Sequence, residues 1–115
     1  MTHAMNGVTY RTFTAPMVNV RTAALQALTG MGIKIDSSGR QDEVEVIKAA
    51  TSEREILIEL EPISANTTRM RSVAKKSIFI YDSATASEII QQTEKFLLKP
   101  QQRANGHDEL ASRLW

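Results

Sequence analysis

Between residues 55 and 75 the chain alternates charged and apolar positions in both directions away from Ala65. Folding this stretch about Ala65 sets Glu55 against Lys75, Leu57 against Val73, Glu59 against Arg71 and Glu61 against Arg69, all on one face of a β-hairpin. The other face then pairs Ile56 with Ala74, Ile58 with Ser72 and Leu60 with Met70. Side chains alternate across a strand, so a slip of one residue would turn Glu and Arg into the core, and the pattern dictates both register and orientation. A three-residue loop of Ser64, Ala65 and Asn66 is expected, with Asn66 at positive φ.

Upstream, residues 44–50 predict a strand that reaches the hairpin through a tight turn at Ser52 and Glu53. That turn places Ile47 opposite Ile58 and Ala49 opposite Ile56, on the same apolar face, with Lys48 among the charges. Residues 8–13 mix β-branched, aromatic and polar side chains as a strand does. A helix follows, with Thr14 or Ala15 as cap, Pro16 in the first turn, Val20, Ala24, Leu28 and Met31 on one stripe, and Gly32 or Gly30 at its end. Ile33 and Ile35 make a short strand over 33–36 before Ser37, Ser38, Gly39 and Arg40 form a turn. Residues 78–81 either extend the hairpin's second arm past a bulge or form a separate short strand. A last helix begins at a capping box of Thr85 and Glu88. It carries Ala86, Ile89, Ile90, Thr93, Phe96 and Leu97 on one stripe, set to pack on Ile47, Ile56, Ile58 and Leu60, and stops at Pro100.

These elements predict an α+β fold: a two-layer sandwich in β-α-β-β-β-β-α order, with an antiparallel sheet of four to five strands and both helices on one face. The place of the first strand in the sheet is open. Residues 1–7 are expected to be a flexible lead, 8–99 a single domain, and 100–115 a polar linker and tail. In that tail Leu110, Leu114 and Trp115 are apolar groups on a short segment that either frays or docks, and they are the candidate interaction residues, pointing to a weak homo-oligomer or a protein partner.

Charge and composition exclude several classes of function. Fourteen basic and thirteen acidic side chains leave a net charge of +1, without the basic field of a general nucleic-acid binder, and no nucleic-acid partner is expected. The chain has no cysteine, which removes disulfides and thiol chemistry. Apolar runs are too short for a transmembrane segment, and residues 1–6 show no signal-peptide pattern.

Candidate chemistry is sparse. His3 and His107 are the two histidines and both fall in the ends, away from any second ligand. Ser77 with Lys75 or Lys76 is the remaining nucleophile-base combination, by adjacency alone. Glu55, Glu59 and Glu61 form a carboxylate row, but each faces a cation across the hairpin, which opposes metal capture and equally neutralises Arg69, Arg71 and Lys75 as a phosphate stripe. Tyr10, Phe13, Phe79, Tyr81 and Phe96 are expected to spread through the core. No catalytic, cofactor-binding or metal-binding residue is assigned, no cofactor is expected, and the chain does not read as an enzyme.

The segments Tyr10-Arg11-Thr12-Phe13 and Val20 to Gly32 resemble a known arrangement, as do Ile47 to Thr51, Ile56 to Leu60 and Thr68 to Arg71. Together they are similar to a family of small bacterial cell-envelope domains of unknown function, many of them lipoproteins, over roughly residues 8–98. The resemblance implies a periplasmic or envelope setting and no catalytic residues; a full-length chain without a signal or lipobox cysteine would instead be cytoplasmic. The expected function is a noncatalytic accessory domain of the bacterial envelope acting through protein-protein contacts. A small cytosolic module binding a ligand or nucleic acid is the alternative.

Overall fold

A computed structural model describes residues 2–5, 7–77 and 80–114, with side chains described over 7–77 and 80–98. The chain runs β1 (Thr2–Met5), β2 (Val8–Phe13), α1 (Met17–Gly30), β3 (Lys34–Gln41), β4 (Val44–Ala50), β5 (Glu55–Ser64), β6 (Thr67–Ser77), β7 (Ile80–Tyr81) and α2 (Ser83–Leu114). The sheet order is β1-β2-β6-β5-β4-β3, with β7 paired to β6, and every pairing is antiparallel. Both helices lie on one face, so the architecture is the two-layer α+β sandwich that the pattern predicts. The first predicted strand is β2, and it pairs with β6; α1 then carries the chain across the sheet to the far edge at β3.

The hairpin of β5 and β6 holds the Ala65-centred register from Glu55↔Lys75 through Pro62↔Thr68. Its turn differs. The register shifts between Pro62 and Ser64, so Ser64 pairs Thr67 and only Ala65 and Asn66 remain in the loop. The Asn66 amide donates to Ser64 Oγ at 3.3 Å, and positive φ is instead found at Asp42, in the β3-β4 turn. The extra residue is carried at exposed Ile63, as an irregularity in β5 next to the turn. The β4-β5 register, Ile47↔Ile58 and Ala49↔Ile56, is the one the short turn dictates.

Polar residues lengthen one strand beyond expectation. Residues 37–40 continue β3 to Gln41, and the turn falls at Asp42 and Glu43. An edge strand has only one neighbour and its side chains can stay in water, so a Ser-Ser-Gly-Arg stretch pairs with β4 at no burial cost. At the opposite edge Thr2–Met5 forms β1 against β2, where a flexible lead was expected for residues 1–7. Residues 80–81 form a separate strand that turns back on β6, and residues 78–79 lie outside the described ones.

Helix ends follow capping chemistry. Pro16, not Thr14 or Ala15, is the N-cap of α1. At the other end Gly32 takes φ +74, its amide reaches Thr29 O at 3.1 Å and the Ile33 amide reaches Leu28 O at 2.9 Å, a Schellman closure that also seats Ile33 and Leu28 in the core. α2 starts at Ser83, two residues before Thr85, because Asp82 rather than Thr85 caps it: Asp82 Oδ1 accepts from the Thr85 amide at 3.0 Å. The helix continues through Pro100 to Leu114, so the segment expected as linker and tail is helical in its backbone. Proline deletes one helical hydrogen bond, and the Gln, Arg, Ala, Glu and Leu residues that follow favour continuation.

The core is one cluster between the layers. Ile47, Ile56, Ile58, Leu60 and Met70 from the sheet meet Val20, Ala24 and Leu28 from α1 and Ala86, Ile89 and Ile90 from α2. α2 rests chiefly on β6 and β2, α1 on β3 and β5, a different division from packing the α2 stripe on β4 and β5. Phe96 is only partly buried, beside Gly30 of α1, and Tyr81 is exposed, so of the described aromatics Phe13 alone belongs to the core. Three ion pairs tie the layers at their margins: Arg11 of β2 to Glu94 of α2, Arg21 of α1 to the buried Glu45 of β4, and Arg54 to Asp82.

Ser72 Oγ is fully buried on the helix-facing side of β6 and has no hydrogen-bond partner among the described residues. An unsatisfied buried hydroxyl costs about 1 to 3 kcal/mol, so Ser72→Ala is expected to raise stability by about 1 kcal/mol, read as a higher urea midpoint at unchanged slope.

Candidate functional site

Among the described residues no helix covers the other face of the sheet, and the side chains there divide into two zones. At one end the predicted charge pairing closes: Arg71 Nη1 donates to Glu59 Oε1 at 2.5 Å, and Arg69 Nη2 lies 3.1 Å from Glu61 Oε1. Tyr10 and Thr12 of β2 continue these two rows, and the Arg69 guanidinium stacks on the Tyr10 ring at 5.5 Å. Burial works against the Arg71 charge, but its hydrogen bonds with Tyr10 and Glu59 outweigh that and hold the guanidinium above its ordinary pKa. This end is neutral and self-satisfied.

At the other end the pairing fails. Glu55 and Lys75 are opposite in register, yet they form no ion pair; the Lys75 ammonium lies 5.2 Å from the centroid of the Tyr81 ring. Between them is a recess of about 380 Å³ on the open face. Its floor is one cross-strand row, Val8 of β2, Val73 of β6 and Leu57 of β5, and Val73 is only 4 % exposed. Lys48 and Asp36 bound it on the β4-β3 side, Glu55 and Lys75 at the end, and Tyr81 on the β7 side.

The Tyr81 wall is held from two directions. Gly7 has φ +80, and a Cβ on it would fall 2.4 Å from the Tyr81 Cβ, so only glycine allows the chain to pass there. The next residue, Asp82, donates its amide to Ala74 O at 2.7 Å, and its carboxylate accepts from Thr85 Oγ1 at 2.5 Å and Arg54 Nε at 2.8 Å. Hydrogen bonds from Thr85 and then from Arg54 hold this carboxyl far below the usual carboxylate range.

The sheet also ends in an open edge. β3 is terminal in the strand order, and its residues from Asp36 to Gln41 are exposed. A bulge between Ile35 and Ser37 turns Asp36 toward the recess.

The residues singled out from sequence are dispersed. Leu110 and Leu114 fall on the distal part of α2, and their side chains, with all of Trp115, lie outside the described residues, as do the side chains of His3 and His107. Ser77 and Lys76 are exposed and do not line the recess. Among the described residues no three His, Cys, Asp or Glu side chains converge as a metal site would require. Recess and edge both escape sequence reasoning, since Tyr81 and Asp36 reach their places through a back-folded strand and a bulge that no local pattern announces. Two signals were available: the Leu57-Val73 pair among charges, and Gly7 before a strand. Compared with known protein families and with curated proteins, the chain matches none. Among the described residues no helix is long and apolar enough to cross a membrane.

Proposed function

We propose that this chain is a noncatalytic accessory domain that works by protein contact, taking a strand of its partner onto the free edge of β3. The observation that carries this reading is the eight-residue edge strand that has no partner on its outer side among the described residues, beside a continuous helix-sheet core. Main-chain hydrogen bonds supply affinity in such strand addition, and flanking side chains supply selection.

A second copy is the wrong partner for this edge. Laying two β3 strands antiparallel about Ser38 brings Asp36 opposite Arg40, but the bulge leaves Asp36 on the open face while Arg40 follows Glu45 on the helix-facing side. Centring on Gly39 instead opposes Asp36 with Asp42, a like-charge contact. Neither register gives a matched charge pair, which favours a different strand as the partner. A bacterial envelope setting follows from the resemblance of residues 8–98 and belongs to the same proposal.

A photoreactive residue at Gly39 or Gln41, both exposed on β3, should give one discrete adduct in cells, and the purified adduct partner should protect β3 amides from exchange in a reconstituted mixture. The same probe at Val18, exposed on α1, should give none. Equal labelling from Val18, or a partner that leaves the β3 amides unprotected, contradicts the proposal.

A further inference from the structure

We infer that the recess on the helix-free face is a binding site for a small zwitterion with an apolar side chain, an α-amino acid of the leucine or phenylalanine class. This goes beyond the partner-strand reading, which concerns the β3 edge.

Four charged side chains at the recess lack ion-pair partners among the described residues. They are Lys48, Lys75, Asp36 and Glu55, although the same sheet face pairs Glu59 with Arg71 and Glu61 with Arg69 one or two rows away. Arg71 also lines the recess but is taken up by Glu59, so two cations and two anions without ion-pair partners surround an apolar floor of Val8, Leu57 and Val73. A simple anion meets repulsion from Asp36 and Glu55, and a simple cation from Lys48 and Lys75. A molecule carrying one charge of each sign satisfies both sets, and its apolar group covers a floor that sugars and other fully polar solutes leave unmatched. The volume of about 380 Å³ lies at the small end of ligand sites, which suits an amino acid better than a nucleotide or lipid.

Preorganisation supports the same reading. Tyr81 is 45 % exposed and so contributes little to the core, yet the backbone fixes it through Gly7 on one side and the Asp82-Thr85-Arg54 group on the other. An exposed ring held in one place lowers the ordering cost of a ligand that packs against it. The Lys75 ammonium lies over that ring and makes no ion pair with Glu55.

The test is a titration of the full chain with L-leucine and L-phenylalanine, followed by amide chemical shifts, beside leucinamide, which lacks the carboxylate, and 4-methylpentanoate, which lacks the amine. Saturable shifts at Val8, Leu57, Val73 and Tyr81 are expected with the amino acids, and affinity at least about tenfold weaker with either analogue. Lys48→Ala, at an exposed position without an ion-pair partner, and Tyr81→Ala should each weaken binding by about tenfold while leaving the unliganded spectrum folded. Absence of saturable shifts at those residues up to concentrations on the order of 50 mM, equal binding of the analogues, or unchanged affinity in Lys48→Ala would overturn the assignment.

Discussion

Replacing Ile58 by alanine is expected to destabilise the domain by about 3 to 4 kcal/mol, a large part of the 5 to 15 kcal/mol typical of such domains. Ile58 is fully buried on β5, an interior strand, between Ile47 and Ser72 in register and beneath the helical layer. Truncation removes its packing and leaves a cavity that strands paired on both sides cannot close. The melting temperature should fall by roughly 12 °C or more. A fall below about 5 °C would place Ile58 at the margin and contradict the register from which its burial follows. The same change at Phe96 is expected to cost less, because that ring is partly exposed beside Gly30.

The second large effect is at Asp82. Its carboxylate caps α2 through Thr85 and receives Arg54 from the β4-β5 turn, so one group fastens helix, turn and β6 together. Asp82→Ala is expected to cost about 2 to 3 kcal/mol, the sum of a lost N-cap and a charge-assisted bond to a partly buried guanidinium. A carboxyl held below its ordinary value near 3.8 stabilises the fold in full above that value; the contribution is lost as pH falls through it toward the lower folded value. Wild-type stability should therefore drop between about pH 5 and pH 2 more steeply than that of Asp82→Asn, which keeps a capping oxygen and no titrating group. Parallel pH profiles for the two proteins would show that Asp82 is not linked to acid unfolding.

Local pattern made much of this architecture legible. The β5-β6 and β4-β5 registers, the span of β2 and the Gly32 closure each depend on residues close in sequence, whose alternation or conformational freedom is visible directly. What could not be read depends on distant partners. Arg11 and Arg21 look like misplaced charges until Glu94 and Glu45 meet them across the layers. Residues 37–40 look like a turn because an edge strand need not be apolar, and Pro100 looks like a stop because its local cost is visible while the preference of the residues after it is diffuse. The recess was hidden for a related reason. Opposition in register suggested that Lys75 neutralises Glu55, and only the return of β7 supplies the Tyr81 ring that draws the ammonium away.

The decisive measurement is native-state amide hydrogen exchange on the chain, which reads whether the outer edge of β3, one of the two terminal strands, is open. Amides of β5 and β6, paired on both sides, should exchange only through global unfolding, whereas β3 should show alternating protection, with the amides that face away from β4 exchanging orders of magnitude faster. Uniform strong protection along β3 in the monomer would mean that its outer edge is already covered, and would contradict both the strand order and the proposed mode of contact.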